Sequence, residues 1–252
     1  QERSWKELYD RSNALYEKGE LSKAVEVAKE AVKAAEDAVG LYHPDVATCL
    51  NNLALFYFYQ GRYAEAEVSY KRAIAILEKA RGPDHLDLTI PLMNLGGLYK
   101  EEGKYEQAEQ LFRRSLAIFE KVEGPQHPNV AVALFAIATV YGSKGGSERA
   151  EALYKQALKI HEKAAGKDHP SVAPHLDALA GIYTEQGKYE EAEVLYKRSL
   201  QIVEASLGPE HPALAIALDS YASLLKKMGR TGEAAKMEAR AKAIRNQPAG
   251  KK

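Results

Sequence analysis

Glycine returns every 42 residues along this 252-residue chain, at Gly19, Gly61, Gly103, Gly145, Gly187 and Gly229. A histidine series keeps the same step at His43, His85, His127, His169 and His211. Three of those histidines sit in near-identical phrases, GPQHP at 124–128, GKDHP at 166–170 and GPEHP at 208–212. Small residues hold a third register at Ala24, Ala66, Ala108, Ala150, Ala192 and Ala234. Several residue types sharing one period across the whole chain mark stacked supersecondary units. The length also exceeds the size at which one compact core usually stops growing. A repeat array escapes that limit because each unit needs only its neighbours.

Within a unit the apolar period is helical. Leu50, Leu53, Ala54 and Tyr57 recur at three-and-four spacing, which gathers them on one helix face. The phrase QGRY ends that helix, with Gly61 free to take a left-handed cap. In the next stretch, AEAEVSYKRAIAILEKA, a second stripe is formed by Ala66, Tyr70, Ala73, Ile74 and Leu77, and Gly82 with Pro83 stops it. Pro44, Pro128, Pro170 and Pro212 stand where the following helix opens, a position that tolerates a missing amide. Helices are therefore expected near 45–59 and 63–80, with equivalents in every unit. The chain reads as an all-α solenoid of six 42-residue helix pairs, in one domain over 1–245. The units cover about 3–40, 45–82, 87–124, 129–166, 171–208 and 213–245, and a disordered tail is expected at 246–252. The end units carry polar substitutions, Arg11 where the middle has Leu53 or Leu95 and Glu238 where it has Tyr70 or Tyr196, as solvent-facing caps require. Gly142, Gly145 and Gly146 make the fourth unit the expected weak point, with fraying or a bend near 142–147.

Lys plus Arg and Asp plus Glu both total 35, so the formal net charge is zero. A protein that neutralises many phosphates carries a basic excess, and the Lys and Arg of segments such as KYEEAEVLYKRSL are accompanied by glutamates. Weak nucleic-acid binding is thus the lesser alternative. No segment reaches the roughly 18 apolar residues of a membrane span. The single Cys49 forms no internal disulfide, which suits a reducing compartment and a cytoplasmic location. The chain opens on Gln1 rather than methionine, as an excised domain or processed product would. Catalysis is not expected: no GxxxxGK loop or HExxH pair is present. The five periodic histidines should spread along an edge and close turns rather than converge on a metal. His161 and His175 stand outside that series as isolated residues. Cys49, beside Leu50, reads as a small buried residue.

The phrases LNNLALFYFYQGRYAEAEVSYKRAIAILEKA and LDALAGIYTEQGKYEEAEVLYKRSLQIVEASLGPEHP resemble the 42-residue tetratricopeptide repeats of kinesin light chains, over nearly the whole chain. The resemblance implies a right-handed superhelix whose first helices line a concave surface and whose second helices lie outside. It also implies peptide or protein binding and no cofactor. The family reads cargo through asparagines at a fixed first-helix position. Asn52 and Asn94 match it, whereas Ala136, Ala178 and Ser220 do not. Its tryptophan-and-acidic cargo peptides would want basic groove residues, and only Lys100 and Lys226 qualify.

A ligand is expected on the first-helix surface. In the N-terminal half the candidates are Tyr9, Asn13, Tyr16, Asn51, Asn52, Leu55, Phe58, Tyr59, Met93 and Asn94. An asparagine carboxamide both donates and accepts, so it can read a peptide main chain, and Tyr and Phe supply apolar anchors. Phe135, Asp177 and Asp219 are the main candidates in the C-terminal half, where the two carboxylates would favour a basic segment. Gly97 and Gly181 lower side-chain bulk and could admit a ligand closely. The bland explanation for the aromatic row is packing between units, and for Asn52 and Asn94 a hydrogen bond between neighbouring helices. A homotypic scaffold, using an end or the outer face, is the other alternative.

Overall fold

The computed structural model describes residues 4–246, and all their regular structure is helical. Twelve α-helices follow one another among the described residues: α1 Trp5–Glu17, α2 Leu21–Val39, α3 Pro44–Tyr59, α4 Tyr63–Arg81, α5 Thr89–Glu101, α6 Tyr105–Glu123, α7 Pro128–Ser143, α8 Ser147–Ala165, α9 Ala173–Glu185, α10 Tyr189–Leu207, α11 Pro212–Lys227 and α12 Thr231–Arg245. They form six consecutive pairs, an all-α repeat solenoid. The chain falls into two compact units that divide between Pro125 and Gln126, so α1–α6 build the first and α7–α12 the second. Of the expected tail, Asn246 caps α12, and 247–252 lie outside the described residues.

Each pair turns on its glycine. At φ +72°, Gly61 donates to Phe58 O at 2.9 Å, and the next amide, Arg62 N–H, reaches back to Tyr57 O at 2.9 Å. These two bonds satisfy carbonyls that the end of α3 would otherwise leave bare. The same geometry recurs at Gly145, φ +76°, and α7 runs through Gly142 to Ser143 before it. The fourth pair therefore closes on the same turn as the others.

The histidine series caps helices. His43, His85, His127, His169 and His211 each accept, at Nδ1, the backbone N–H two residues on, at 3.2 to 3.3 Å. An accepting Nδ1 leaves the proton on Nε2. In the third and fifth pairs the cap opens a short 3-10 turn, Leu86–Leu88 and Pro170–Val172, before the first helix begins. The sequence pattern had these helices opening like the rest. Pro91 and Pro174 explain the difference, because neither has an N–H to complete the first α-helical turn.

The stripes read from the sequence are the core. Leu50, Leu53, Ala54 and Tyr57 on α3, and Ala66, Tyr70, Ala73, Ile74 and Leu77 on α4, are all buried. Each first helix packs on its own partner, and within a unit each second helix also packs on the first helix that follows. Among the glycines the tightest surroundings are at Gly96, where an added Cβ would stand 2.5 Å from the Phe112 ring. A side chain there would have to displace that ring.

Charged side chains join successive second helices. Arg72 pairs with Glu36, Arg114 with Glu78 at 2.6 Å, Arg198 with Glu162 at 2.7 Å and Arg240 with Glu204 at 2.6 Å. A second row holds second helices to the following turns, through Glu67 and Lys104 at 3.7 Å, Glu151 and Lys188 at 3.4 Å, and Glu193 and Arg230 at 2.9 Å. Mixed charge on these helices thus ties neighbouring pairs together as well as bracing single helices.

Candidate functional site

In the first unit the end of α3 is aromatic, and the helical step of about 100° per residue fans its rings around the axis. Phe56 is buried, Phe58 half-buried and Tyr59 52% exposed. Tyr16, at the matching end of α1, stacks on Phe56 at 5.2 Å between ring centres and lies 5.3 Å from Tyr59. Phe58 meets Tyr59 edge-on at 5.5 Å and Tyr63 at 5.6 Å. Beside this cluster lies a pocket of about 210 Å³, lined from α3 by Leu55, Phe58 and Tyr59, from α4 by Tyr70, and from α5 by Met93, Asn94, Gly97, Leu98 and Glu101. Five residues nominated from the sequence, Leu55, Phe58, Tyr59, Met93 and Asn94, therefore meet in one place. The pocket is open because Gly97 has no side chain: a Cβ built there has no neighbour within 4 Å. Burial raises the Tyr70 phenol above its ordinary value, so the floor is uncharged.

Asn94 donates through Nδ2 to Asn51 Oδ1 at 3.0 Å, a bond between α5 and α3 that fixes the pocket wall. Asn52 is placed differently. It is buried and donates to Ser12 Oγ at 3.1 Å, and Ser12 in turn donates to Tyr9 O at 2.7 Å. The two asparagines that share a sequence register thus do not form one ligand-facing row. Ser12, where the later pairs carry alanine or glycine, supplies a hydroxyl that draws the Asn52 amide inward. Tyr9 and Asn13 are half-buried on α1, outside the pocket lining.

The C-terminal candidates are held by separate contacts. Phe135 lies edge-on to Tyr154 at 5.2 Å and 4.9 Å from the His175 ring, so it serves packing within the second unit. Asp219 is ion-paired with Arg245 of α12. Asp177 is half-buried, and its Oδ1 is buried without a hydrogen-bond partner among the described residues. Burial pushes its carboxyl up to about 6, against the opposing Ser199 hydroxyl. His161 and His175, which stood apart in sequence, meet across α8 and α9, with Nδ1 to Nε2 at 3.2 Å. Burial first, and the neighbouring His161 second, lower His175 to about 4. Only their positions in the repeat, at sites held elsewhere by Leu77, Phe119 and Val203 or by Cys49 and Ala133, could have signalled a shared interior location.

A larger cavity, about 640 Å³, opens between α2 and α4 over α3, with Val32, Leu50, Leu53 and Tyr57 as its floor and Ser69 in its wall. The equivalents of Ser69 in the later pairs are Leu111, Leu153, Leu195 and Met237. The short serine leaves this space unfilled. Cys49 is buried, and burial with Asp45 pushes its thiol up to about 12, so it is no nucleophile at neutral pH. Among the described residues no group of three or more His, Cys, Asp or Glu is placed to hold a metal ion. No described helix is long and apolar enough to cross a membrane.

Solved structures of similar fold include nearly identical TPR-like repeats from a Podosopora anserina protein assigned as a kinesin light chain. That structure is 25% identical at TM-score 0.66, over 81% of this chain and 96% of that one. BtubC (BKLC) from P. vanneervenii is 24% identical at TM-score 0.70, over 93% of each chain. A Rap protein complexed with competence and sporulation factor is 17% identical at TM-score 0.65, over 94% of this chain and 74% of that one. Among curated protein sequences none matches this chain. The profile described as Tetratricopeptide repeat matches residues 7–79, 45–121, 87–163, 148–200 and 171–247. With matches running from residue 7 to residue 247 over six helix pairs, the chain belongs to the tetratricopeptide repeat family.

Proposed function

We propose that this chain is a peptide- or protein-binding module whose ligand sits on the first-helix face of the first unit, against Phe58, Tyr59, Met93, Asn94 and Gly97. The observation that carries the reading is the 210 Å³ pocket, where exposed aromatic surface surrounds a gap left by a glycine. Rings that keep a large exposed area at low conformational cost are the usual anchors of protein interfaces. Asn51 and Asn94 hold each other, so the wall is set before a ligand arrives, which lowers the ordering cost of binding. The Rap structure, solved with competence and sporulation factor, supports the reading that a scaffold of this fold carries a ligand.

The test is selection of peptides from a displayed random library, followed by calorimetry on the wild type and on Gly97→Leu and Tyr59→Ala. Both substitutions should weaken the selected peptides roughly tenfold or more, the range of an interface anchor. Affinities unchanged in both folded variants overturn this placement. The exposed Val68 beside the larger cavity on α2 and α4 favours one second reading, self-association through the second helices. Light scattering that shows a monomer at high protein concentration removes it.

A further inference from the structure

We infer that the first-unit pocket selects a cationic side chain, an arginine or lysine presented by a peptide. The inference rests on the proposed function and goes further, because it names the chemistry of the occupant. It also reverses the charge preference that the kinesin-light-chain resemblance implies.

Three observations converge. Glu101 is the single formally charged residue among the nine that line the pocket, and the rest of the wall is aromatic, aliphatic or amide. Lys100 pairs with Glu101 Oε1 at 3.2 Å, and the Glu101 side chain is still 49% exposed, so its carboxylate can be reached by a ligand as well. Next, Phe58 and Tyr59 line the pocket with ring surface, and Tyr16 packs on Tyr59 at 5.3 Å. Ring faces carry the negative end of the aromatic quadrupole and attract an ammonium or guanidinium within about 6 Å. Finally, the pocket lies where α3 and α5 end. Helix C-termini carry partial negative charge; Lys100 in the last turn of α5 offsets it there, whereas α3 has no basic residue in its last turn. A carboxylate, ring faces and a helix C-terminus all favour positive charge. An acidic side chain would meet repulsion from each of them.

Size agrees with this choice. A gap of about 210 Å³ beneath half-exposed Tyr59 accepts one long side chain. The methylenes of lysine or arginine would lie along Leu55, Met93 and Leu98 with the charged head at Glu101, the arrangement in which such stems cover apolar surface while the head stays wet.

The experiment is a set of amide chemical-shift titrations of the ¹⁵N-labelled full chain. The probes are capped tripeptides with alanine on each side of arginine, lysine, leucine or glutamate. Arginine and lysine peptides should shift the amides of Tyr59, Asn94, Gly97 and Glu101, at concentrations on the order of millimolar for so small a ligand. The glutamate peptide should not. Glu101→Gln should weaken the cationic peptides about threefold to fivefold, as loss of a half-exposed ion pair does. Gly97→Leu should abolish the shifts while the fold is kept, because the added side chain grows into open space and leucine is the better helix former. Tyr59→Ala, at an exposed position, provides a second arm if the leucine variant misfolds. A leucine peptide that shifts the same amides as strongly, with Glu101→Gln indifferent, overturns the cation inference and leaves the binding site standing. If no probe moves any of those amides, both this inference and its placement in the pocket fail.

Discussion

Asp177 and His175 lie two positions apart on α9 and oppose each other as the pH falls. Burial holds the Asp177 carboxyl up at about 6, against an ordinary value of 3.8. The folded state therefore keeps a proton that the unfolded state releases, and the associated stability is lost as pH rises through 6. His175, lowered from 6.5 to about 4, works the other way. The unfolded chain takes up a proton below 6.5 that the folded chain refuses until about 4, so stability is lost as pH falls through that window. Between pH 7 and pH 5 the two nearly offset, leaving a net loss of about 1 kcal/mol or less. Asp177→Asn should remove one side of this balance. Urea unfolding is expected to show a variant more stable than wild type at pH 7 by about 2 kcal/mol, losing about 2 kcal/mol on going to pH 5. A pH response no steeper than that of wild type would contradict the account. Glu151 and Glu193, both lowered to about 2 first of all by the lysine one turn on, contribute stability that is lost only below pH 4.5, outside this comparison. For Asn52, buried against Ser12, Asn52→Ala should cost about 1–2 kcal/mol in the same assay.

At the scale of a helix, the space beside Ser69 and the histidine caps carry separate expectations. Ser69→Leu restores to α4 the residue type that α6, α8 and α10 use in the same register. It should fill part of the 640 Å³ cavity and raise the melting temperature, by an amount corresponding to about 1 kcal/mol. A fall in thermal stability would show that this space is too constrained to accept the side chain. His43 begins α3 by accepting the Asp45 amide at 3.2 Å. His43→Ala leaves that amide to water alone and should lower stability by about 1 kcal/mol in chemical denaturation. Because Pro44 follows and presets the first turn, α3 should persist by circular dichroism.

At the scale of the molecule, stability in a repeat array is a sum over nearest neighbours. The last pair shows what such a neighbour contact contains. Arg230 bonds both oxygens of Glu193 at 2.9 Å, Tyr221 donates to the same carboxylate at 2.6 Å, and Lys197 pairs with it at 2.8 Å. Arg230→Ala should speed amide exchange in α11 and α12 and leave α1–α6 as protected as before, since the lost contact is local. Exchange that rises equally in all helices would mean that the chain opens as one cooperative body.

The repeat, the six helix pairs, the turn glycines and both apolar stripes were legible in the residues, because each is set by interactions a few positions apart and then copied at 42. The aromatic run at the end of α3, on the first helix of its pair, was legible for the same reason. Which of its neighbours share a pocket was not. Asn52 and Asn94 are equivalent in register, yet a single hydroxyl on Ser12 buries one while the other meets Asn51 at the pocket wall. His161 and His175 look isolated in sequence and touch in space. The cavity over α3 depends on the volume of one serine among leucines on facing helices. Periodicity assigns a side chain to a helix face. Its burial, partner and protonation are decided by the side chains of other helices, whose volumes and polar atoms vary from one repeat to the next.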